Sequence, residues 1–106
     1  MMQEINCSNR VDDKNNPTGG HVSGEGIDIR WQDGPRGTSP KNKAANGAFV
    51  EGVIQAAIQR LQFFQETKFE CVENSNAIQG LTIALKALNS RTALRQERMV
   101  EGQNKI

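Results

Sequence analysis

The sequence predicts an α+β protein: a small N-terminal β-strand region followed by a two-helix antiparallel hairpin, completed as an obligate oligomer. Three observations carry this expectation. Ile27, Ile29 and Trp31 alternate with Asp28, Arg30 and Gln32, the period of a half-buried strand. Further along, apolar residues recur at spacings of three and four, first between Val50 and Phe64 and again at Ile78, Leu81, Leu85 and Leu88, so two helices each have one face to bury. Finally, only 36% of the 106 residues are hydrophobic and the first 45 add little to burial. Two helices alone leave too much apolar surface wet at this size, which points to self-association.

In chain order, residues 1–18 hold Asn6, Asn9, Asp12, Asp13, Asn15, Asn16 and Pro17. Such a density of turn formers predicts a flexible segment with no long regular element, and at most a short strand around Ile5 and Cys7. Residues 19–106 read as one domain, with a strand region over 19–45 and a helical hairpin over 46–102. His21 to Gln32 is extended, with Gly24 and Gly26 placed to allow a bend or a bulge. Asp33-Gly34-Pro35 reads as a turn and the stretch from there to Asn46 as a loop. Asn46 is a good N-cap for a first helix running to about Glu66. A short connection containing Phe69 and Cys71 closes the hairpin. Glu70, Glu73 and Asn74 favour the start of a second helix, which runs to about Met99.

Composition excludes several functions. The net charge of +1, from 13 basic and 12 acidic residues, argues against a general DNA or RNA binder, which carries a strong basic excess. No apolar run approaches the ~18 residues that span a membrane, and the opening residues lack the character of a secretory leader. Cys7 and Cys71 form no CxxC and read as reduced cytosolic thiols. There is one histidine, no zinc-ligand spacing, no nucleophile elbow and no phosphate-binding loop. His21 has no Ser or Cys partner in sequence and reads as a satisfied or solvated side chain. Asp12-Asp13 reads as solvation. The chain therefore looks like a binder with no catalytic residues, no metal and no cofactor.

Arg91, Arg95 and Arg98 are the strongest binding candidates. Four cations and one carboxylate, Glu97, fall between Lys86 and Arg98, and the spacing of four and three sets the arginines along one helical stripe. A guanidinium offers a planar fork for phosphate and a face for stacking. The competing explanation is a solvated helix end whose dipole favours cations. Extending the register of Ile78, Leu81, Leu85 and Leu88 reaches Thr92 and Arg95, so the apolar seam turns into arginine. Arg30 and Arg36 flank the turn after the strand. Phe64 follows the apolar stripe of the first helix and Phe63 lies off it; packing explains both, although a phenyl ring also stacks on a base. Asn74 is a helix-start residue whose amide can both donate and accept. Ser23-Gly24-Glu25-Gly26 reads as a strand irregularity, and Trp31 as core.

Certain segments carry a resemblance. These are Gly20-His21-Val22-Ser23-Gly24-Glu25-Gly26-Ile27, Asn46-Gly47-Ala48-Phe49-Val50-Glu51, Phe69-Glu70-Cys71-Val72-Glu73-Asn74, Ala77-Ile78, Arg91-Thr92 and Val100-Glu101-Gly102. In that order and spacing they resemble the phage Thoeris anti-defence proteins of the first-described type, whose helical hairpin is shared with an anti-CBASS signal sponge. The resemblance spans roughly residues 19 to 102. Val72, Ser75, Asn76 and the Gln-Asn after Gly102 depart from the family pattern. It implies a homo-oligomer, a dimer or a trimer of dimers, acting in the cytoplasm of the infected bacterial host. The implied ligand is a cyclic ADP-ribose isomer made by a TIR-domain enzyme, held without cleavage; some members also hold cyclic di- or trinucleotides. Carried over residue by residue, Arg91 matches the arginine that contacts the signal, Phe64 the base-stacking aromatic and Asn74 a hydrogen-bonding amide. The family pocket also draws on the N-terminal sheet, where Arg30 or Arg36 would serve. The alternative from another class is a phage structural or scaffold-type oligomerisation protein with no small-molecule ligand.

Overall fold

The computed structural model describes residues 3–34 and 44–97. These form two compact units, divided between Phe49 and Val50. The first is a three-stranded antiparallel sheet in the order β1 (Ile5–Val11), β2 (Pro17–Gly24), β3 (Ile27–Trp31). The second is a hairpin of α1 (Val50–Phe64) and α2 (Val72–Glu97), joined by residues 65–71. The α+β class, with strands first and the hairpin second, is as the sequence predicts.

The N-terminal segment corrects that prediction. Ile5–Val11 is a seven-residue strand and Pro17 opens the next one. The asparagines and aspartates between them are the turn of a β-hairpin, with Asp12 at its centre. The Asp12 carboxylate accepts the Lys14 and Asn16 backbone N–H groups, both at 2.9 Å, and the Asn16 side-chain amide at 3.2 Å. Asn15 takes the left-handed φ of 64° that an asparagine tolerates. Turn chemistry is local and legible, but strand pairing is not, so the residues flanking such a turn cannot be told from loop by composition.

The register sets two faces. Cys7, Val22 and Ile29 align across the sheet, as do Ile5, Gly24 and Ile27, while Ser8, His21 and Arg30 align on the other face. Ile27, Ile29 and Trp31 are half-buried and Asp28 and Arg30 exposed, which matches the period-two reading. β1 is exposed throughout because it lies at the sheet edge, with a neighbour on one side alone. Gly26, the second residue of the tight turn between β2 and β3, supplies φ 76°, a conformation that costs other residues about 1–2 kcal/mol.

Residues 44–49 belong to the sheet unit, and here a second correction arises. Asn46 is not a helix cap; α1 starts four residues later, at Val50. The Asn46 amide instead pairs with both backbone groups of Asp33, accepting from its N–H at 2.7 Å and donating to its carbonyl at 3.0 Å. Gln32 returns the favour by accepting the Asn46 N–H at 2.9 Å. Ala48 then forms a parallel bridge to Trp31, donating to the Arg30 carbonyl at 2.7 Å and accepting from Gln32 N–H at 3.0 Å. This close approach requires Gly47, because a Cβ there would lie 2.5 Å from the Trp31 carbonyl carbon and oxygen.

In the hairpin, Val53, Ile54, Ile58, Leu61 and Phe64 of α1 are half-buried; Val50 and Ala57, expected on the same face, are exposed. In α2 the half-buried stripe runs through Ile78, Leu81, Leu85 and Leu88 and continues to Thr92 and Arg95, as the periodicity predicts. Helix two is described as far as Glu97; the expected end at Met99 lies outside the described residues. Thr67 finishes α1 by donating its hydroxyl to the Phe64 carbonyl at 2.6 Å and accepting the Phe69 N–H at 3.1 Å. Among the described residues no apolar side chain is buried outright, and Phe69, Val72, Ile83 and Leu94 are each more than half exposed.

Two outcomes follow for the sheet unit. Gly47→Ala forces the Ala48–Trp31 bridge apart and lowers stability by about 1–3 kcal/mol in chemical denaturation, whereas Gly52→Ala, on an open helix surface, does not. The second concerns pH. Hydrogen bonds from the Asn16 backbone and side chain hold the Asp12 carboxyl below its ordinary value of 3.8. The turn's stabilisation is therefore complete above the ordinary carboxylate range and disappears as pH falls through the lower, folded value. In an NMR titration, the Lys14 and Asn16 amide resonances should move together at that lower midpoint, and Asp12→Ala should abolish the transition.

Candidate functional site

The residues singled out in sequence fall into three places. Phe64 and Asn74 sit together at the closed end of the hairpin. Phe64 ends α1, with its ring 6.0 Å from that of Phe63. The Arg60 guanidinium, one turn earlier, lies 5.0 Å from both ring centroids, a distance at which a cation is attracted to a phenyl face. Asn74 lies in the first turn of α2, half-buried, and donates its amide hydrogens to Gln65 Oε1 at 2.9 Å and the Phe69 carbonyl at 3.2 Å. It is thus a first-turn residue that does not serve as the cap.

Arg91 and Arg95 occupy the far end of α2, Arg91 exposed and Arg95 half-buried in register with the apolar stripe. Arg91 follows Asn74 by seventeen residues (91 − 74), which along an α-helix is ~25 Å. Within one hairpin the arginines and the Phe64–Asn74 pair therefore stand at opposite ends. α2 has 26 residues against 15 in α1, so its last turns run past the length of its partner helix.

Arg30 lies in the sheet unit, on an open cleft of about 420 Å³. Arg10, Gly20, His21, Trp31, Asp33 and Asn46 line it with Arg30. Its volume is within the ~300–1,000 Å³ of small-molecule sites, although its lining is more polar than usual for them. Two guanidinium groups beside an indole ring suit an anion attached to a planar group. The Asn46–Asp33 pairing holds one wall in place. Arg36, the other loop candidate, lies outside the described residues, as does Arg98.

His21 Nε2 is bonded to the Asp28 carboxylate on the neighbouring strand. The pair is diagonal across the β2–β3 ladder and on one face, because His21 faces Arg30 and Asp28 faces Ser23. The His21 hydrogen bond, then its charge and that of Arg30, hold the Asp28 carboxyl below its ordinary value. The histidine is satisfied, as its sequence context indicates. Sequence reasoning missed Arg10, which sits at an irregularity in β1 between Asn9 and Val11. A bulge position cannot be read from periodicity, and only the fold brings Arg10 to the cleft that Arg30 lines. Trp31, expected in the core, is half-buried and lines the cleft as well.

Among the described residues no group of three His, Cys, Asp or Glu side chains is placed to hold a metal ion. Cys7 and Cys71 are free and exposed. No described helix is long and apolar enough to cross a membrane. The chemistry on offer is guanidinium, amide, indole and phenyl: recognition of anions, hydrogen-bonding groups and aromatic rings.

Over 58 residues the chain is 52% identical to a protein of Bacillus phage SBSphiJ7 named Thoeris anti-defense 1. The matched segment is 55% of this chain and 41% of that protein, so the chain spans well under two thirds of its relative's length. A family model described as the Acb2/Tad1 hairpin domain matches residues 23–93, from the end of β2 through Ala93. The match covers most of the chain, including β3, the last two residues of β2 and nearly all of the hairpin, and the chain belongs to the Acb2/Tad1 hairpin-domain family.

Proposed function

We propose that this chain is a phage anti-defence protein that sequesters a nucleotide immune signal, binding a cyclic ADP-ribose isomer without cleaving it and so blocking Thoeris immunity. The observation that carries this reading is the separation of the binding groups. Phe64 and Asn74 lie ~25 Å along the hairpin from Arg91 and ~32 Å from Arg95, too far for one small ligand to touch both sets in a single chain. Two antiparallel hairpins, however, bring the closed end of each beside the arginine end of the other. One ligand then meets a phenyl face and an amide from one protomer and guanidinium groups from its partner. Such a pocket exists in the oligomer alone, at the contact that also covers the apolar residues this small chain leaves exposed.

The chemistry fits the ligand class. A diphosphate is met by Arg91 and Arg95; Arg30 or Arg36 is a further anion-binding candidate. An adenine stacks on Phe64, and Asn74 pairs with a polar group of the ligand. No step of bond cleavage is assigned to any residue, and sequestration needs affinity at or below the signal concentration in place of turnover. The site of action is the cytoplasm of the infected host. Cyclic di- and trinucleotides of CBASS immunity are a second ligand class, held by a trimer of dimers. DNA and RNA are not partners, given the net charge of +1.

A second reading is a phage structural or scaffold-type protein without a ligand. The exposed Phe69, Val72, Ile83 and Leu94 favour it, since an oligomerisation surface needs apolar residues and no pocket. Calorimetric titration with a TIR-generated cyclic ADP-ribose, followed by heating and recovery of the ligand, separates the readings. Tight binding with intact ligand recovered supports sequestration; absence of heat and of thermal stabilisation supports the scaffold, and a cleaved product overturns both. Arg91→Ala is expected to weaken binding about 10- to 100-fold, the loss of a charge-assisted hydrogen bond to phosphate, while the protein elutes at the wild-type oligomer size. Phe64→Leu, which keeps an apolar side chain but removes the stacking face, is expected to cost roughly 1–3 kcal/mol of binding.

A further inference from the structure

The closed end of the hairpin contains a polar relay that fixes which way the Asn74 amide faces. It begins with backbone groups, whose polarity is unambiguous. Gln65 Oε1 accepts the Cys71 N–H at 3.1 Å, and Gln65 Nε2 donates to the Cys71 carbonyl at 3.0 Å. Reversing the Gln65 amide would set donor against donor and acceptor against acceptor, so its orientation is determined. Gln65 Nε2 places its second hydrogen on Ser75 Oγ at 3.0 Å. The second lone pair of Oε1 accepts from Asn74 Nδ2 at 2.9 Å. The other Nδ2 hydrogen goes to the Phe69 carbonyl at 3.2 Å, a second backbone acceptor that agrees on the direction. Both donors of Asn74 are thereby consumed within the protein, and its Oδ1 makes no hydrogen bond among the described residues.

We infer that Gln65 is a positioning residue of the ligand site, and that Asn74 reads the ligand only as an acceptor, through Oδ1. The inference rests on the signal-binding function proposed above and narrows what the site recognises. The ligand group opposite Asn74 is a hydrogen-bond donor, an exocyclic amine of a base or a ribose hydroxyl. It is not a phosphate, which offers acceptors alone. Gln65 follows Phe64 directly in the chain, so the base-stacking ring and the oriented carbonyl share one end of the hairpin. Free rotation would let Asn74 offer its NH2 to a phosphate as readily as its carbonyl to an amine. The Cys71–Gln65–Asn74 relay removes that choice before the ligand arrives, and fixing a polar group in advance lowers the ordering cost of binding.

Gln65→Glu and Gln65→Met separate positioning from support of the helix connection. Both variants lose the NH2 that donates to the Cys71 carbonyl and to Ser75, although in Gln65→Glu the Ser75 hydroxyl can donate to the carboxylate instead, and both hairpins should melt at lower temperature. Only Gln65→Met also removes Oε1, the shorter-bonded of the two acceptors that turn the Asn74 carbonyl outward, and leaves the longer bond to the Phe69 carbonyl alone. In calorimetry with a TIR-generated cyclic ADP-ribose, Gln65→Met should bind about tenfold more weakly, and Gln65→Glu should stay within about threefold of the wild type. Asn74→Ala should match Gln65→Met. Equal weakening of the two Gln65 variants, or wild-type affinity in Asn74→Ala, would overturn the inference while leaving sequestration standing. Failure of the wild-type protein to bind would instead sink the proposed function itself. The inosine counterpart of the ligand, which carries a carbonyl where adenine carries its amine, distinguishes the donor. A tenfold loss that disappears in Asn74→Ala assigns the amine, and unchanged binding assigns a hydroxyl.

Discussion

Paired amide hydrogen bonds hold this protein's irregular segments in the places where a larger domain would use buried apolar surface. Asn46 and Gln65 do the same thing in different units. Each offers a side-chain carbonyl to the N–H of one residue and a side-chain NH2 to the carbonyl of that same residue, Asp33 in one case and Cys71 in the other. A β-bridge satisfies backbone groups in this two-bonded way, and here a side chain takes the place of the neighbouring strand. Each bond contributes about 0.5–1.5 kcal/mol net, which is modest, but a pair aimed at one residue also fixes its orientation. With no apolar side chain buried outright among the described residues, such pairs decide where the loop ends and the helix connection lie.

That constraint explains which parts of the fold were legible in the sequence. The alternation at Ile27, Ile29 and Trp31 and the three-and-four spacing from Ile78 to Leu88 are periodic, and both elements are where the pattern puts them. The hydrophobic seam was legible even where it changes chemistry, at Thr92 and Arg95. What failed was reading polar residues by type. Asn46 has the identity of an N-cap, yet its amide is spent on Asp33, thirteen residues earlier in the chain. Asp12, Asn15 and Asn16 have the composition of an irregular segment, yet they build a tight turn between two strands. An amide or carboxylate announces that it will satisfy backbone groups; it does not announce which ones. That choice depends on strand pairing and loop closure, neither of which is local.

The candidate site divides along the same line. Phe64, Asn74 and Arg91 entered by likeness to a family, and the chain's membership of the Acb2/Tad1 hairpin-domain family now stands on the match over residues 23–93. Arg30 was picked for its place beside a turn and lies on the sheet cleft, but Arg10, which lines the same cleft, could not be found from sequence, since it sits at an irregularity in β1. Gln65 was equally invisible. It lies off the apolar stripe, has no charge and matches no motif, and its importance comes from four hydrogen bonds that exist only once the connection has folded back.

The weakness of the core and the layout of the candidate binding groups meet in the proposed mode of association. The hairpin leaves apolar residues of both helices exposed, and its phenyl–amide end and arginine end stand ~25 Å apart, beyond the reach of one small ligand. The antiparallel association we propose would answer both with a single contact. It also sets a condition on the polar groups at that contact. An amide buried there with an undecided orientation would compromise the interface whenever no ligand is bound, because an unsatisfied donor costs more than a satisfied one contributes. With both Asn74 donors already bonded to Gln65 and Phe69, the group left over is a carbonyl oxygen, whose under-satisfaction is the more easily tolerated of the two. In the proposed oligomer, the relay inferred to select the ligand's donor would thus also let the empty pocket persist at the contact.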